Sequence, residues 1–308
     1  MLDIFFQTLP FFAIIALGWG AGKTGFFTPE ATAYLTKFVF YFALSAMLFR
    51  FSANLSFEQI YYPAAMGAYL WATMVVYLLV TAVALIRKLG IEEAAVEAQC
   101  GVIGNVGFLG IPMLVMLLGE PAVVPVMLVL VVDLLVFGSL IVILITGSRD
   151  GRVSLGVLVT VGMGLLKNPM IVSIGSGIIW SALALPIPVP LNAFLDLLGA
   201  AATPGALFAI GASLAGKSAE RIQIAGWLSF CKLVLHPAAV AVAVLVLIPV
   251  DPYVAGVMIA AAALPTAGNV YILAAHYGVA PARVSATILV STAVSILTLS
   301  GVIAWVGG

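Results

Sequence analysis

Charged side chains are scarce in this chain of 308 residues. Asp, Glu, Lys and Arg together make up 8% of it, whereas 64% of its residues are hydrophobic. A soluble domain carries about 25% charged residues, so this chain lacks the means to cover a water-facing surface. We therefore predict an integral membrane protein. The formal net charge is zero, which gives no indication of a nucleic-acid partner.

Catalytic signatures are absent as well. The sequence contains no Walker A motif, no H-E-x-x-H, no Cys-x-x-Cys pair and no nucleophile elbow. Its two cysteines, Cys100 and Cys231, both lie in apolar segments and are interpreted as small buried hydrophobic residues. We therefore expect neither an enzyme nor a bound cofactor or metal. The first apolar segment lacks a basic n-region, so we do not interpret it as a cleavable signal.

The chain does contain long apolar runs. A membrane-spanning helix needs about 20 apolar residues, and ten runs approach this length, five in each half. The predicted spans are Ile4–Gly22, Glu30–Phe49, Tyr61–Ile86, Glu93–Leu118, Ala122–Gly147, Pro169–Leu185, Leu191–Ala215, Ile222–Pro249, Pro252–Tyr277 and Ala282–Val306.

The two sets of five spans define the predicted domain organisation. Residues 1–150 form the first repeat, residues 151–167 a cytoplasmic or interfacial linker, and residues 168–308 the second repeat. Because each repeat has an odd number of spans, the two repeats must insert in opposite orientations. The predicted fold is thus an all-α membrane protein of two inverted five-helix repeats.

Basic residues in the connections between spans support this count. With the connections numbered in chain order, nine basic residues fall in the odd-numbered ones and only Arg50 falls on the opposite side. The nine are Lys23, Arg87, Lys88, Arg149, Arg152, Lys167, Lys217, Arg221 and Arg283. The positive-inside rule then places the odd connections in the cytoplasm and both termini on the non-cytoplasmic side.

The tripeptide Gly-Asn-Val occurs twice, as Gly104-Asn105-Val106 in the fourth predicted span and Gly268-Asn269-Val270 in the ninth. The two asparagines are 164 residues apart. Gly, Asn and Pro in an apolar span free backbone groups, which is tolerated only where the backbone is buried in protein or lines a wet cavity. Two broken helices at matching positions of two halves indicate a transporter's substrate site.

The asparagine side chains have two possible roles. Each offers two donors and one acceptor, so Asn105 and Asn269 either line the substrate site or serve the structure, by capping a half-helix or bonding the partner helix. Pro112 and Pro265 are predicted to set the breaks, because proline lacks an amide donor and clashes with the preceding turn. Plain kinks without function are the alternative for both prolines.

Few ionisable groups lie deep in the predicted spans. A charge at the bilayer centre costs roughly 3 kcal/mol, so such groups pair with one another or serve a function. Lys232 is either the ion-pair partner of Asp133 or a counter-charge for an anionic substrate. Glu97 and Asp133 are candidate carriers of a proton or sodium, and His236 and His276 are candidates for a proton relay. For His276 the alternative is a packed polar residue.

Two segments resemble the signatures of a known family. Gly-Asn-Val-Gly-Phe-Leu-Gly-Ile-Pro at 104–112 and Leu-Pro-Thr-Ala-Gly-Asn-Val at 264–270 are similar to those of the auxin efflux carrier family. This family includes plant auxin carriers and bacterial carriers assigned to malonate, malate and other carboxylates. The chain resembles more distantly the bile acid sodium symporter group, which shares the inverted layout. Its short connection between halves resembles the bacterial members.

The resemblance implies that the spans form two structural units. The first, second, sixth and seventh would form a scaffold, often with a homodimer interface. The others would form a mobile transport domain, in which the fourth and ninth cross at their breaks beside the substrate anion. Asn105, Pro112, Pro265 and Asn269 fall at the crossing positions.

The sequence therefore predicts a multi-pass secondary transporter of the cell (inner) membrane. It would carry a small organic anion, a carboxylate, across the lipid bilayer by elevator-type alternating access. A sodium-coupled symporter of the bile acid type, a channel and a ligand sensor are the alternatives. The predicted substrate-binding residues are Asn105, Asn269, Gly104, Gly268, Pro112, Pro265 and Lys232, and the coupling candidates are Glu97, Asp133 and His276.

Overall fold

The computed structural model describes residues 2–55, 61–150, 155–216 and 222–306. Within these ranges the regular structure is helical and no β-strand is formed. The predicted all-helical fold is confirmed. Three of the basic residues counted in the connections, Arg152, Lys217 and Arg221, lie outside the described ranges.

Thirteen helices follow one another in the part of the chain that the structure describes. In chain order they are α1 (Leu2–Lys23), α2 (Pro29–Ala53), α3 (Pro63–Ile86), α4 (Ile91–Val102), α5 (Val106–Leu118), α6 (Glu120–Arg149), α7 (Leu155–Lys167), α8 (Pro169–Ala182), α9 (Val189–Ala215), α10 (Ile222–Leu247), α11 (Pro252–Ala262), α12 (Gly268–Tyr277) and α13 (Pro281–Val306).

Six of these helices are long and apolar enough to cross a membrane: α2, α3, α6, α9, α10 and α13. Shorter apolar helices of 10–17 residues lie at Thr8–Lys23, Val106–Leu118, Pro169–Ala182 and Pro252–Ala262. Helix α7 occupies most of the segment predicted as a linker. The chain is thus a multi-pass membrane protein.

Polar caps and prolines fix several helix starts. Thr28 accepts a hydrogen bond from the amide of Ala31 at the start of α2, and the side chain of Asp251 accepts from the amides of Tyr253 and Val254 at the start of α11. In both cases a proline follows the cap, where its missing amide costs nothing because first-turn amides have no partner within the helix.

Two of the predicted spans are interrupted. The span predicted at Glu93–Leu118 consists of α4 and α5, separated by residues 103–105. The span predicted at Pro252–Tyr277 consists of α11 and α12, separated by residues 263–267. Both breaks fall at or immediately before a Gly-Asn-Val tripeptide.

Several helices also contain one wide turn, in which the backbone bonds span five residues instead of four. The described examples lie at Val39–Ala43, Val106–Gly110, Asp133–Phe137, Cys231–Leu235 and Ala243–Leu247. Such turns are frequent at functional sites. Those in α6 and α10 carry the deep charged residues Asp133 and Lys232.

Contacts between connections join odd-numbered connections to one another and even-numbered connections to one another. Arg87 and Arg283 both bind Glu97, and Arg149 binds Glu92. These contacts join the third, fifth and ninth predicted connections. Lys23 of the first connection donates to the carbonyl of Ala215, beside the seventh.

A second group of contacts joins even-numbered connections. Ser181, at the end of α8, donates to the carbonyl of Leu55. Tyr253, at the start of α11, donates to the carbonyl of Leu118. Thr8 near the start of the chain and Ser300 near its end are hydrogen-bonded at 2.9 Å. The alternation of sides predicted from the charges is consistent with these contacts.

Glycines allow two helix pairs to approach closely. A Cβ added at Gly18 of α1 would lie 2.1 Å from the carbonyl oxygen of Phe208 in α9, and one at Gly211 would lie 1.9 Å from that of Ile15. Gly177 of α8 meets α2 in the same way, 2.8 Å from the carbonyl oxygen of Phe49. Small residues let membrane helices pack backbone to backbone, so α1 with α9 and α2 with α8 form tight pairs.

Candidate functional site

The two broken spans cross at their breaks and are joined there by backbone hydrogen bonds. The amide of Asn105 donates to the carbonyl of Pro265 at 2.8 Å, and the amide of Ala267 donates to that of Ile103 at 3.0 Å. Gly104 and Thr266 thus pair as an antiparallel bridge. Unwound backbone in a membrane must find partners inside the protein, and each break supplies them to the other.

Side chains complete the crossing. Ser291 of α13 accepts from the amide of Thr266 at 3.1 Å, and the hydroxyl of Thr266 donates to the carbonyl of Cys100 at 2.9 Å. All three residues are buried. The hydroxyl of Thr266 therefore satisfies a carbonyl near the end of α4, which has no amide partner within its own helix.

Two half-helices begin at the crossing. Asn105 occupies the cap position before α5, and Asn269 is the second residue of α12. First-turn amides have no intrahelical partner and carry the positive end of the helix dipole. The crossing thus presents two sites suited to negative charge.

The two asparagine side chains are left without partners. Neither makes a hydrogen bond with any residue that the structure describes, although Asn105 is only 7% exposed. The Oδ1 atom of Asn269 is buried without a partner. The predicted structural roles, capping or bonding to the partner helix, are therefore not formed by the side chains.

The two glycines of the repeat have different surroundings. Gly104 is buried, and a Cβ there would lie 3.3 Å from Nζ of Lys232. Gly268 is exposed, with nothing within 4 Å of an added Cβ. Gly104 thus permits a close approach to Lys232, whereas Gly268 leaves the start of α12 open.

The two prolines also differ. Pro265 lies within the second break, as predicted. Pro112 does not lie at the first break, which ends seven residues before it, so the prediction that Pro112 sets this break is wrong. It follows the wide turn Val106–Gly110 at the start of the regular part of α5. A proline removes one amide from the helix ladder, and the turn that precedes it is the widened one.

Lys232 lies in the wide turn of α10 and is fully buried. Its ammonium group donates to the carbonyl of Ala262, the last residue of α11, and lies 3.2 Å from Nδ1 of His236. Nε2 of His236 lies 3.0 Å from the hydroxyl of Thr73 in α3. A polar chain therefore runs from the second break to α3.

Asp133 does not form the ion pair with Lys232 that was one of the predicted alternatives. No pair between them within 4.0 Å occurs among the described residues. Oδ1 of Asp133 instead accepts a hydrogen bond of 2.9 Å from the hydroxyl of Tyr69, and its Oδ2 is buried without a partner. Wide turns in α6 and α10 place these two charges on separate partners.

The other two coupling candidates are placed away from the crossing contacts. Glu97 is buried, and each of its oxygens accepts from an arginine, Arg283 at 2.7 Å and Arg87 at 2.8 Å. His276 is exposed in the last turn of α12, with its ring 4.9 Å from that of Tyr277. Neither side chain makes a hydrogen bond to the residues of the breaks.

Sequence reasoning did not identify Tyr69 and Thr73. One signal was available: these residues are four apart in α3, as Lys232 and His236 are in α10. The two pairs are separated by 163 residues, nearly the spacing of the two asparagines. Comparison of the third and eighth spans at that spacing would have found them.

The apolar helices, the crossing of two broken spans and the buried polar groups define a membrane transport protein. The family described as "Membrane transport protein" matches this chain at residues 3–154 and 152–303. The chain therefore belongs to this family, which confirms the auxin efflux carrier family predicted from the two Gly-Asn-Val segments.

A relative with the same extent is known from Rhizobium meliloti (strain 1021). It is 31% identical over 309 residues, which cover 98% of this chain and 96% of the relative, and it is described as "Putative malonate transporter". The similarity extends over essentially the whole of both proteins.

Proposed function

We propose that this protein is a secondary transporter of a small organic anion, which binds at the crossing between Asn105 and Asn269. One observation carries the proposal: neither side-chain amide has a hydrogen-bond partner among the described residues. The Nδ2 group of each asparagine, which offers two donors, is therefore available to a ligand that accepts hydrogen bonds.

A carboxylate fits this site. The half-helices α5 and α12 direct their positive ends toward the crossing, as in carriers whose broken helices bind substrate carboxylates. An asparagine amide donates hydrogen bonds to the same group. The relative's printed description supports malonate as the first substrate to test.

Ten spans in two inverted repeats are the architecture that supports this function. In this proposal the six long helices, α1, α8 and the two broken spans α4–α5 and α11–α12 would make the ten crossings, with residues 1–150 and 168–308 as the repeats. Helix α7 then lies in the linker between them, on the cytoplasmic side. The basic odd-numbered connections support an orientation with both termini outside the cytoplasm.

Elevator-type movement is proposed for two sets of helices. The ion pairs of Glu97 and Glu92, and the crossing itself, join members of the set α3–α6 and α10–α13. The close glycine contacts and the Arg50–Asp196 ion pair join members of the set α1, α2, α8 and α9. Each set thus has contacts that would hold it together while the two sets slide. A homodimer through the second set remains a prediction.

Substitution of the two asparagines tests the substrate site. We expect Asn105→Ala and Asn269→Ala each to weaken malonate binding by about 10- to 100-fold, because a hydrogen bond to a charged group contributes about 1.5–3 kcal/mol. Binding is measured from the malonate-induced rise in the thermal midpoint of detergent-purified protein.

Asn54→Ala is the matched control, since Asn54 is an exposed asparagine at the end of α2. It should leave malonate binding unchanged. Wild-type affinity in both Asn105→Ala and Asn269→Ala, with intact folding, would refute the proposed site. In vesicles, saturable counterflow is expected of a carrier, whereas flux that grows linearly with concentration would indicate a channel.

A further inference from the structure

Lys232 is located where the first half of the second broken span ends. Its ammonium group donates to the carbonyl of Ala262, the final residue of α11. A helix C-terminus carries partial negative charge and is stabilised by a cation. In transporters with broken helices, such ends and the unwound carbonyls beside them coordinate the coupling cation.

The ammonium group lies beside both breaks. A Cβ on Gly104 would lie 3.3 Å from Nζ of Lys232 and 3.4 Å from the carbonyl oxygen of Ala261. The backbone of the first break therefore passes directly against the ammonium group and the end of α11. A cation at this point is next to the backbone of the first break and to the end of α11, so it can stabilise both parts of the crossing.

The corresponding helix end in the first broken span, the end of α4, has different hydrogen-bond donors. Thr266 donates its hydroxyl to the carbonyl of Cys100, and the amide of Ala267 donates to that of Ile103. These donors are neutral. The end of α4 is therefore satisfied by the partner break, whereas the end of α11 receives a charged group from α10.

No carboxylate neutralises this charge directly. Among the described residues, no carboxylate oxygen lies within 4.0 Å of Nζ of Lys232. Glu97 is held by two arginines and Asp133 by Tyr69. Among the described residues, the ammonium group is therefore held at the crossing by the carbonyl of Ala262 and by His236, and by no ion pair.

The neighbouring histidine is arranged to support an ammonium group. Nδ1 of His236 lies 3.2 Å from Nζ of Lys232, and its Nε2 lies 3.0 Å from the hydroxyl of Thr73. An ammonium group has donors only, so beside a charged Lys232 Nδ1 accepts and the ring is neutral, with its proton on Nε2. In that tautomer His236 orients Lys232 without adding a second positive charge.

We propose that Lys232 is a resident cation of the crossing, in the position where a sodium-coupled carrier would bind an alkali ion. The inference rests on the proposed function and deepens it: carboxylate binding requires the Lys232 charge and requires no sodium. The protein would then differ in coupling from the sodium-dependent alternative considered for its sequence.

Exchange of the salt tests this on the wild-type protein. The thermal midpoint is measured with malonate as its sodium, potassium and N-methyl-D-glucamine salts, each against the matching chloride. We expect the same rise in all three. A rise only with sodium would overturn the resident cation and leave the proposed function standing. If neither malonate nor any other small carboxylate raises the midpoint, both the resident cation and the proposed function are refuted.

Substitution of the lysine tests the role of its charge. Lys232→Met keeps the length of the side chain and removes the charge, and we expect malonate affinity to fall at least about 10-fold in every salt. Lys37→Met is the control, because Lys37 is exposed on α2. Wild-type affinity in Lys232→Met would overturn the inference.

Lys232→Ala distinguishes a lysine that supplies charge to the site from one that only supports the structure. It removes the charge and leaves space beside the carbonyl of Ala262, so we expect malonate binding to return as sodium or potassium chloride is raised. Binding that stays insensitive to both salts would contradict the inference. Midpoints without ligand verify folding, and if neither variant folds the wild-type salt comparison decides.

Discussion

At the scale of single residues, two deep acids have different surroundings although the sequence suggested the same role for both. Each oxygen of Glu97 accepts from an arginine, so its charge is neutralised within the protein. Asp133 accepts from one tyrosine hydroxyl and keeps one oxygen without a partner. A fully paired carboxylate is suited to holding helices together, and Glu97 joins α3, α4 and α13.

Glu97→Gln should therefore destabilise the protein strongly. Loss of one partner of a buried ion pair costs about 3–5 kcal/mol, because the other charge is left uncompensated, and the Arg283 side chain is only 8% exposed. The measurement is the thermal midpoint of detergent-purified protein. Glu92→Gln, at the more exposed pair with Arg149, should change the midpoint far less. Equal effects of the two substitutions would argue against a clamp at Glu97.

At the scale of elements, close packing distinguishes helix pairs that contact backbone to backbone from pairs that meet through side chains. The α1–α9 pair is of the first kind, since the Cα of Gly18 faces the carbonyl of Phe208. No rotamer change relieves a clash with a carbonyl group, so a larger residue at this point must move a whole helix.

Gly18→Ala and Gly20→Ala form a matched pair within α1. The added methyl group of Gly18→Ala would lie 2.1 Å from the carbonyl oxygen of Phe208, whereas at Gly20 nothing lies within 4 Å. We expect Gly18→Ala to destabilise by about 1–3 kcal/mol and Gly20→Ala to be neutral or stabilising by up to about 1 kcal/mol. Thermal midpoints and size-exclusion profiles measure both. A neutral Gly18→Ala would show that the two helices are not in backbone contact.

At the scale of the whole molecule, the charges in the connections predict the direction of insertion. We expect Leu185→Cys, between α8 and α9, to react with a membrane-impermeant maleimide in intact spheroplasts. Thr24→Cys, in the first connection, should react only after permeabilisation. Both positions are exposed, and the native Cys100 and Cys231 are buried, so background labelling should be low. The reverse pattern would invert the proposed orientation, and labelling of both would contradict the span count.

The sequence predicted the helical fold and the two interruptions because both depend on local composition. Apolar runs of about 20 residues specify membrane helices, and Gly-Asn-Val segments with a nearby proline cannot continue them without loss of backbone bonds. The 164-residue spacing of Asn105 and Asn269 indicated that the two interruptions correspond. Family membership followed from the same segments and was confirmed.

The partners of the deep charges were decided by the tertiary structure. Whether Lys232 contacts Asp133 or Ala262 depends on the rotation of α10 about its axis, and Lys232 lies in the wide turn Cys231–Leu235, which adds one residue to a helical turn. Likewise, Pro112 proved to lie seven residues beyond the break, because the backbone of the first break is stabilised by bonds to the second. Sequence by itself determines which residues are too polar or too irregular for a membrane helix. Only the packing of different helices decides which of these residues meet, because the partners are distant in the chain: Lys232 and Ala262 are 30 residues apart, and Tyr69 and Asp133 are 64 apart.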